Sequence, residues 1–323
     1  MTLKEAINNR FTNASRNETL GYTDKYEGRN KRVLNKNGEF NVIRKGVKTG
    51  VFHKLLTMSW WHFAFSILAF YSVINLLFAL LYLLFDFNGI GFTDDYEVHS
   101  PFLIAIFFSA QTITTVGYGS LYPLSSLVSF MAAVEALVGL MSFAIFTGVM
   151  YGRFSRPVHG IRYSKNAIIS PYKGGWSFQF RVANEMTNNL INLEARALLA
   201  IVVTENGKQI RRFQPIDLDN NKINYLSINW TCVHNINDKS PLFGLTEQDF
   251  MAGNIEIIVM VEAFNDAFSQ VVHSRTSYTW DEIEWQKKFK IPYYFNEEGI
   301  TVFDIAQLEE REDLPEMVGA ASK

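Results

Sequence analysis

The sequence predicts an α + β membrane protein in which two transmembrane helices, with a short re-entrant helix between them, precede an immunoglobulin-like β-sandwich. Residues 60–85 contain no formally charged side chain, and residues 127–151 contain only one. Each run is long enough to cross the hydrocarbon core of a bilayer as a helix. From residue 160 onward the pattern changes to alternation with period two, which is typical of the short strands of a β-sandwich.

Composition sets further limits on the class of protein. The chain has 323 residues and a net charge of −2, so there is no general attraction to nucleic acid and we expect no nucleic-acid partner. Cys232 is the only cysteine, which excludes an intrachain disulfide. We expect no cleavable signal peptide, because the N-terminus lacks an apolar core.

The N-terminal residues 1–46 are predicted to form a polar cytoplasmic segment, whose first 30 residues we expect to be disordered or loosely held. Residues 47–58 follow as a predicted amphipathic helix. Such a helix can lie in the membrane interface, and the alternative is a soluble helix that packs on the cytoplasmic domain. Its apolar face comprises Val47, Val51, Phe52, Leu55 and Leu56.

We assign residues 59–152 to a transmembrane domain. The first span is predicted at about residues 60–85 and is followed by an acidic loop at 86–100 without Lys or Arg. Pro101 then begins an apolar run, residues 101–112, that is too short to cross the membrane. This run predicts a re-entrant helix whose negative C-terminal dipole would favour a cation beyond its end.

The loop after this short helix, residues 114–119, reads Thr-Thr-Val-Gly-Tyr-Gly. A loop of this kind lines up backbone carbonyls that replace the hydration shell of a potassium ion. Its glycines permit the unusual dihedrals that aligned carbonyls need. A glycine-rich surface turn is the alternative, which the flanking spans disfavour. The predicted K⁺-binding residues are Thr115, Val116, Gly117 and Tyr118, with Gly119 completing the turn.

One chain carries one copy of this loop, whereas a closed ring of carbonyls needs four. We therefore predict a homotetramer with the loop on its axis. The Tyr118 ring is expected to point away from the axis and to pack against the re-entrant helix.

The second span, at about residues 127–151, contains three residues that need a reason. Gly139 and Gly148 indicate either a hinge or close helix packing, because glycine weakens a helix interior. Glu135 is not expected to face lipid. It either accepts a hydrogen bond from the back of the re-entrant helix, which its helical angle favours, or faces the cavity on the axis.

Basic residues flank both spans on the side away from the acidic loop. This asymmetry places both termini in the cytoplasm, and we expect a multi-pass protein of the cell (inner) membrane. Residues 153–308 are predicted to form the cytoplasmic β-sandwich, with apolar stripes such as Phe178, Phe180 and Val182. The acidic tail, residues 309–323, is expected to be disordered.

Taken together, these features resemble the inward-rectifier potassium channels, and specifically their bacterial branch. The resemblance rests on three segments. They are the loop of residues 114–119, which corresponds to that family's selectivity filter, the run Phe107–Thr112 before it, and the linker Arg153–Pro157 after the second span. The segments Ser240–Gly244 and Gln270–Arg275 are similar to loops of that family's sandwich.

The resemblance assigns roles to further residues. Tyr151 matches a bulky gate residue, with an interfacial anchor as the alternative. Phe143 and Thr147 lie on the same helical line and would face the cavity. Residues Gln111 and Glu135 would support the filter. The family responds to phosphoinositides, and cations near the inner leaflet attract anionic headgroups, although ordinary positive flanks would look the same. The residues concerned are Lys54, Arg153 and Arg156.

Three departures from the family pattern are visible. Gln111 stands where the animal members resemble one another in having a Glu, and Leu121 stands where they have its Arg partner. Support of the filter is therefore expected from neutral hydrogen bonds. Phe143 stands where strongly rectifying members have an Asp, so polyamines or Mg²⁺ are expected to block only weakly.

The expected function is passive, K⁺-selective conduction, gated at the inner helices and modulated by the cytoplasmic domain and anionic lipids. No cofactor is expected, because K⁺ is the permeant ligand. The six histidines show no metal-ligand spacing, and the sequence contains no recognisable catalytic motif, so we do not expect an enzyme. The alternative is a membrane-anchored β-sandwich that binds a ligand and signals without conduction.

Overall fold

The computed structural model describes residues 11, 24–26, 28, 32–46, 48–93, 98, 100–156, 160–205 and 207–314. The expectation of disorder for residues 1–30 falls mostly outside the described residues, and that for residues 315–323 falls entirely outside them. The chain forms two compact units. One comprises residues 44–156, and the other comprises residues 1–43 together with 157–323.

The unit of residues 44–156 is built on apolar helices. At about 1.5 Å per residue, its two longest helices measure roughly 39 and 44 Å, more than the ~30 Å of the hydrocarbon core. Both are long and apolar enough to cross a membrane, which confirms the predicted pair of spans. The helices are α1 Val51–Thr57, α2 Trp60–Phe85, α3 Pro101–Ile113 and α4 Ser126–Phe154.

A short β-ribbon closes the segment that contains α3. Strand β1 (Ile90–Phe92) precedes α3, and β2 (Leu121–Pro123) follows the loop after it. The two strands pair antiparallel, with Phe92 opposite Leu121. The chain therefore enters and leaves the α3 segment at the same edge, which is the geometry of a re-entrant segment. Inside, the rings of Tyr82 and Phe108 meet edge to face with centroids 5.0 Å apart.

Two helix boundaries differ from the predicted ones. Helix α1 begins at Val51 rather than at residue 47, because Gly50 has an extended backbone (φ −62°, ψ 154°) and acts as the N-cap. Helix α4 continues to Phe154, three residues beyond the predicted end. It stops before Pro157, and proline disfavours helical backbone at the residue that precedes it.

The second unit is a sandwich of two five-stranded sheets. The first sheet contains β6 Leu190–Glu205, β7 Lys208–Ile216, β8 Lys222–Tyr225, β10 Glu256–Asn265 and β11 Gln270–Thr279. Its order is β11-β10-β6-β7, and β8 also pairs with β6. The second sheet contains β3 Ile161–Tyr163, β4 Ala167–Tyr172, β5 Gly175–Asn184, β9 Asn229–Ile236 and β12 Ile283–Trp285. Its order is β12-β4-β5-β3, and β9 also pairs with β5.

The predicted period-two stripes form the core between these sheets. Phe178, Phe180 and Val182 on β5 are fully buried, as are Ile257 and Val259 on β10. All belong to one continuous apolar cluster. Because a strand side chain points to alternate faces, the stripe predicted from sequence is the buried face of each strand. The predicted α + β fold class is confirmed.

Smaller elements lie outside the two sheets. A short helix, α5 (Glu247–Ala252), starts with a capping box between Thr246 and Asp249. Two ribbons complete the unit. They pair β13 Lys287–Phe289 with β16 Arg311–Asp313, and β14 Tyr293–Phe295 with β15 Thr301–Phe303.

The strand β16 corrects the expectation that the acidic tail is disordered from residue 309. Its charges have partners that are distant in sequence. Arg311 forms an ion pair with Glu284, and Lys287 forms one with Asp313. Leu308, which lies shortly before β16, is fully buried. Local composition alone could not predict these partners.

The N-terminal residues that were assigned to a separate segment instead pack on the outer face of the first sheet. Val33 and Leu34 are fully buried against Leu198, Phe213 and Ile258. The carboxylate of Glu256, itself fully buried, accepts the backbone N–H of Val33 at 2.6 Å and that of Leu34 at 3.0 Å. A buried carboxylate thus fixes this segment through its backbone.

We expect Glu256→Gln to loosen the N-terminal segment, since an amide offers one acceptor oxygen without charge. Hydrogen bonds to charged groups contribute about 1.5–3 kcal/mol, so amide exchange at Val33 and Leu34 should accelerate roughly tenfold or more. Hydrogen–deuterium exchange of peptides covering residues 32–41 measures this.

The matched control is Glu262→Gln, on the same strand but at an exposed position. It should leave the exchange unchanged. Equal protection in both variants would mean that apolar packing alone holds the segment.

Candidate functional site

The loop that joins α3 to β2 has an unusual backbone. Thr115, Gly117 and Gly119 have positive φ angles of 55°, 53° and 86°, and the residues between them do not. An ordinary strand points successive carbonyls in opposite directions, whereas alternation in the sign of φ lets them face the same side. The glycines were expected to allow this. Thr115 was not foreseen, because a β-branched residue rarely adopts positive φ.

The same loop is anchored to the end of α3 through its N–H groups. The backbone oxygen of Gln111 accepts the N–H of Val116 at 3.0 Å and that of Gly117 at 3.4 Å. Thr115 donates its N–H to the oxygen of Thr112 at 3.0 Å. The Gln111 side-chain oxygen is buried and has no hydrogen-bond partner among the described residues. Gln111 therefore holds the loop through its backbone oxygen. The support that we expected from its side chain is not seen among the described residues.

The carbonyl oxygens of residues 115–118 are in the opposite situation. No hydrogen bond among the described residues ends on any of them. The side chains beside them are open, with Val116 51% and Tyr118 78% exposed. Within one chain the Tyr118 ring is thus largely uncovered, and its expected packing against the re-entrant helix stays a prediction. The loop presents a row of free acceptors.

Behind α3, Glu135 occupies a fully buried position on α4. Tyr82 on α2 donates its hydroxyl to one carboxylate oxygen at 2.7 Å. Ser109 on α3 donates its hydroxyl to the other. The hydrogen bond from the back of α3 is thus present, and the carboxylate does not face outward from the helix bundle.

The two glycines of α4 have different surroundings. A Cβ atom on Gly139 would lie 2.1 Å from the carbonyl oxygen of Ile113, the last residue of α3. A Cβ atom on Gly148 would meet no described atom within 4 Å. Gly139 is therefore a close-packing position, and only Gly148 keeps the hinge interpretation.

The side chains expected to face a cavity share one exposed side of α4. Phe143 and Tyr151 are each 74% exposed, and Thr147 between them is also exposed. Phe143 additionally lines a space of about 500 Å³ beneath the loop, next to Thr115 and Phe70. These residues are placed on one line, as their spacing of four predicts.

The three basic residues near α1 are not equivalent. Lys54 and Arg156 are exposed. Arg153 is partly buried and donates to the backbone oxygens of Leu55 at 2.5 Å and Met58 at 2.7 Å. Its guanidinium also stacks on the ring of Trp60 at 4.6 Å. Arg153 therefore joins the end of α4 to the end of α1, a role that the sequence did not reveal.

Within the part of the chain that the structure describes, no group of His, Cys, Asp and Glu side chains could hold a metal ion. The backbone oxygens of the loop are thus the candidate ligands for a cation in the transmembrane unit.

Comparisons with known proteins agree with this geometry. Residues 161–322 match the model of the inward rectifier potassium channel C-terminal domain, and residues 56–156 match an ion channel model. The inward rectifier potassium channel Kirbac3.1 of Paramagnetospirillum magnetotacticum is 32% identical over 288 residues, which cover 87% of this chain and 96% of that protein.

Relatives with lower sequence identity align with a smaller share of the chain. The ATP-sensitive inward rectifier potassium channel 12 of Gallus gallus is 29% identical over 234 residues, 69% of this chain but only 54% of that protein. Among solved structures, the sporulation control protein Spo0M of Bacillus subtilis aligns over 39% of this chain and 50% of its own, with 7% identity and a TM-score of 0.21, too low to carry an argument.

The two spans, the re-entrant segment and these matches define a membrane ion channel for potassium. The chain belongs to the inward rectifier potassium channel family. The predicted resemblance is confirmed, and the named relatives are ion channels rather than enzymes.

The contrast between the two glycines gives a direct prediction. Gly139→Ala should destabilise the protein, because its methyl group would overlap a backbone oxygen that cannot move without shifting α3. Gly148→Ala should leave stability unchanged or raise it by up to about 1 kcal/mol through helix propensity. Thermal unfolding of the purified protein in detergent compares the two variants, and equal melting temperatures would contradict the packing assigned to Gly139.

Proposed function

We propose that four copies of this chain form a K⁺-selective pore through which the ion passes passively. The oxygens of Thr115, Val116, Gly117 and Tyr118 would bind the dehydrated ion, and Gly119 would complete the turn. The single observation that carries this proposal is the row of carbonyl oxygens at 115–118 without any donor among the described residues. K⁺ is then the permeant ligand, and no cofactor is required.

The homotetramer follows from the same loop. One chain supplies carbonyls from one side only, and a ring around an ion needs several copies related by an axis. In this assembly the exposed rings of Tyr118, Phe143 and Tyr151 would be covered by a neighbouring copy or would line the pore.

The line of Phe143, Thr147 and Tyr151 would face the cavity below the filter. Four Tyr151 rings near the inner end would form a hydrophobic constriction, the proposed gate. An aromatic ring at Phe143 gives no Coulomb attraction to a polyamine or Mg²⁺, which supports weak block. Glu135 does not replace that attraction, since its carboxylate is committed to Tyr82 and Ser109.

The proposed cellular location is the cell (inner) membrane, with both termini and the β-sandwich in the cytoplasm. Basic residues at the inner ends of both spans support this orientation. We further propose that Lys54 and Arg156, which are exposed, contact anionic lipid headgroups. Arg153 would hold α1 in place beside these lipid-binding residues, because its guanidinium already donates hydrogen bonds to the end of α1.

The conduction proposal is tested by K⁺ flux into liposomes that contain the purified protein. Gly117→Ala should abolish the flux, because a side chain at φ 53° costs about 1–2 kcal/mol and disfavours the backbone that aligns the carbonyls. Gly174→Ala, at φ 80° in a turn of the β-sandwich, is the matched control and should conduct normally. A correctly assembled Gly117→Ala tetramer with normal flux would reject the filter assignment.

The lipid proposal predicts a graded effect of charge. Arg156→Gln should shift the dependence of flux on the anionic lipid fraction by about fivefold, since one cation near the surface contributes roughly 1 kcal/mol. Whether the lipid opens or closes the channel does not affect this shift. Lys173→Gln, which removes an exposed charge from the β-sandwich, is the control. An unaltered dose-response for Arg156→Gln would remove that residue from the lipid site.

A further inference from the structure

Among the contacts between α4 and α3, two have the same spacing on both helices. Glu135 on α4 accepts the hydroxyl of Ser109 on α3, and Gly139 packs on the carbonyl of Ile113. Each helix contributes residues four positions apart, which lie on one face. Helix α4 therefore fixes both the position and the rotation of the last turn of α3.

The third helix enters through Tyr82. Its hydroxyl donates to Glu135 at 2.7 Å, and the side chain is fully buried. The Ser109 hydroxyl also lies 3.1 Å from the backbone oxygen of Asn75 on α2. The carboxylate of Glu135, with Tyr82 and Ser109, forms a polar node that joins α2, α3 and α4 beside the apolar cluster to which Tyr82 itself belongs.

This node lies one step from the filter loop. Ser109 is two residues before Gln111, whose backbone oxygen accepts the N–H groups of Val116 and Gly117. A shift or rotation of α3 moves that oxygen and, with it, the backbone of the loop. Discrimination between K⁺ and Na⁺ depends on the number and the positions of the carbonyls that replace the hydration shell.

We propose that Tyr82 and Ser109 are positioning residues for ion selectivity, which act by holding the Glu135 carboxylate and thereby the orientation of α3. This inference rests on the proposed conduction through the 115–118 carbonyls and adds the determinants that keep them selective. Buried charges in membrane spans are costly and persist where they have a specific partner, which fits a node of two donors on one carboxylate.

The test is the K⁺-over-Na⁺ permeability ratio of the full-length protein in planar bilayers, measured from reversal potentials. Tyr82→Phe retains the ring and removes one donor, and we expect the ratio to fall about fivefold or more. Ser109→Ala and Glu135→Gln should act in the same direction. The double variant Tyr82→Phe/Glu135→Gln should be no worse than the more severe single variant, because both remove the same interaction.

Matched controls separate positioning from general destabilisation. Ser129→Ala removes a hydroxyl that bonds within α4, to the oxygen of Ser125 at 2.8 Å. Ser66→Ala removes a hydroxyl that bonds only within α2, to the oxygen of Phe63 at 2.7 Å. Both should keep the wild-type ratio. A lower yield of tetramer, with a wild-type ratio in the channels that still assemble, would indicate a purely structural role and overturn the proposal.

If Tyr82→Phe fails to assemble, Glu135→Asp serves as the second variant, because it keeps the charge and withdraws it by one methylene group. It should also lower the ratio. Wild-type selectivity in the assembled Ser109→Ala, Glu135→Asp and Glu135→Gln channels would overturn the inference while leaving conduction intact. Absence of K⁺ current in the wild type would instead reject the proposed function, and the inference with it.

Discussion

The transmembrane unit is organised by the need to satisfy backbone polar groups where there is no water. Irregular backbone at membrane depth is tolerated only where protein or a water-filled cavity satisfies it. In the loop after α3, the N–H groups of Thr115, Val116 and Gly117 are satisfied by oxygens of α3, whereas the carbonyls of 115–118 accept nothing among the described residues. This leaves an excess of acceptors, for which a cation is the matching partner. The β1–β2 ribbon and the contact at Gly139 hold that arrangement in place.

Those features of the fold that depend on local pattern were predictable from the sequence. The two long runs almost without charged residues predicted the two spans. The period-two apolar stripes, such as the one on β5, predicted the β-sandwich. The face of Glu135 was also predictable, because its helical angle differs from that of Phe143. The positive φ of Thr115 and the bonds of Arg153 were not, since they depend on which helix turns meet in three dimensions. The roles of the filter, the gate and the lipid-binding residues remain predictions.

Two polar segments are held by partners that are distant in sequence, and for one of them, residues 309–314, composition alone had predicted disorder. Residues 32–40 and 309–314 contain few apolar side chains, and both are ordered through partners more than 20 residues away in sequence. Glu256 accepts two N–H groups of the first, and Glu284 pairs with Arg311 in the second. Charged side chains with such partners offset the entropy of ordering that an isolated polar segment could not.

The contacts of α4 divide that helix into fixed and free parts. Near the loop at residues 114–119 it is held at Glu135 and Gly139, and at its other end Arg153 forms hydrogen bonds to α1. Between these points the side chains that we propose to face the cavity are exposed, and a Cβ atom on Gly148 would meet no described atom within 4 Å. Because α4 is held at both ends, it can move away from a pore axis in two ways. It either bends between the two ends or breaks the contact at one of them. Bending at Gly148 would move Tyr151 without disturbing the proposed filter, whereas release of the contacts of Glu135 would change the proposed filter itself. If Tyr151 is the gate, as we propose, its position on the free part of α4 would allow the channel to open while the proposed filter keeps its shape.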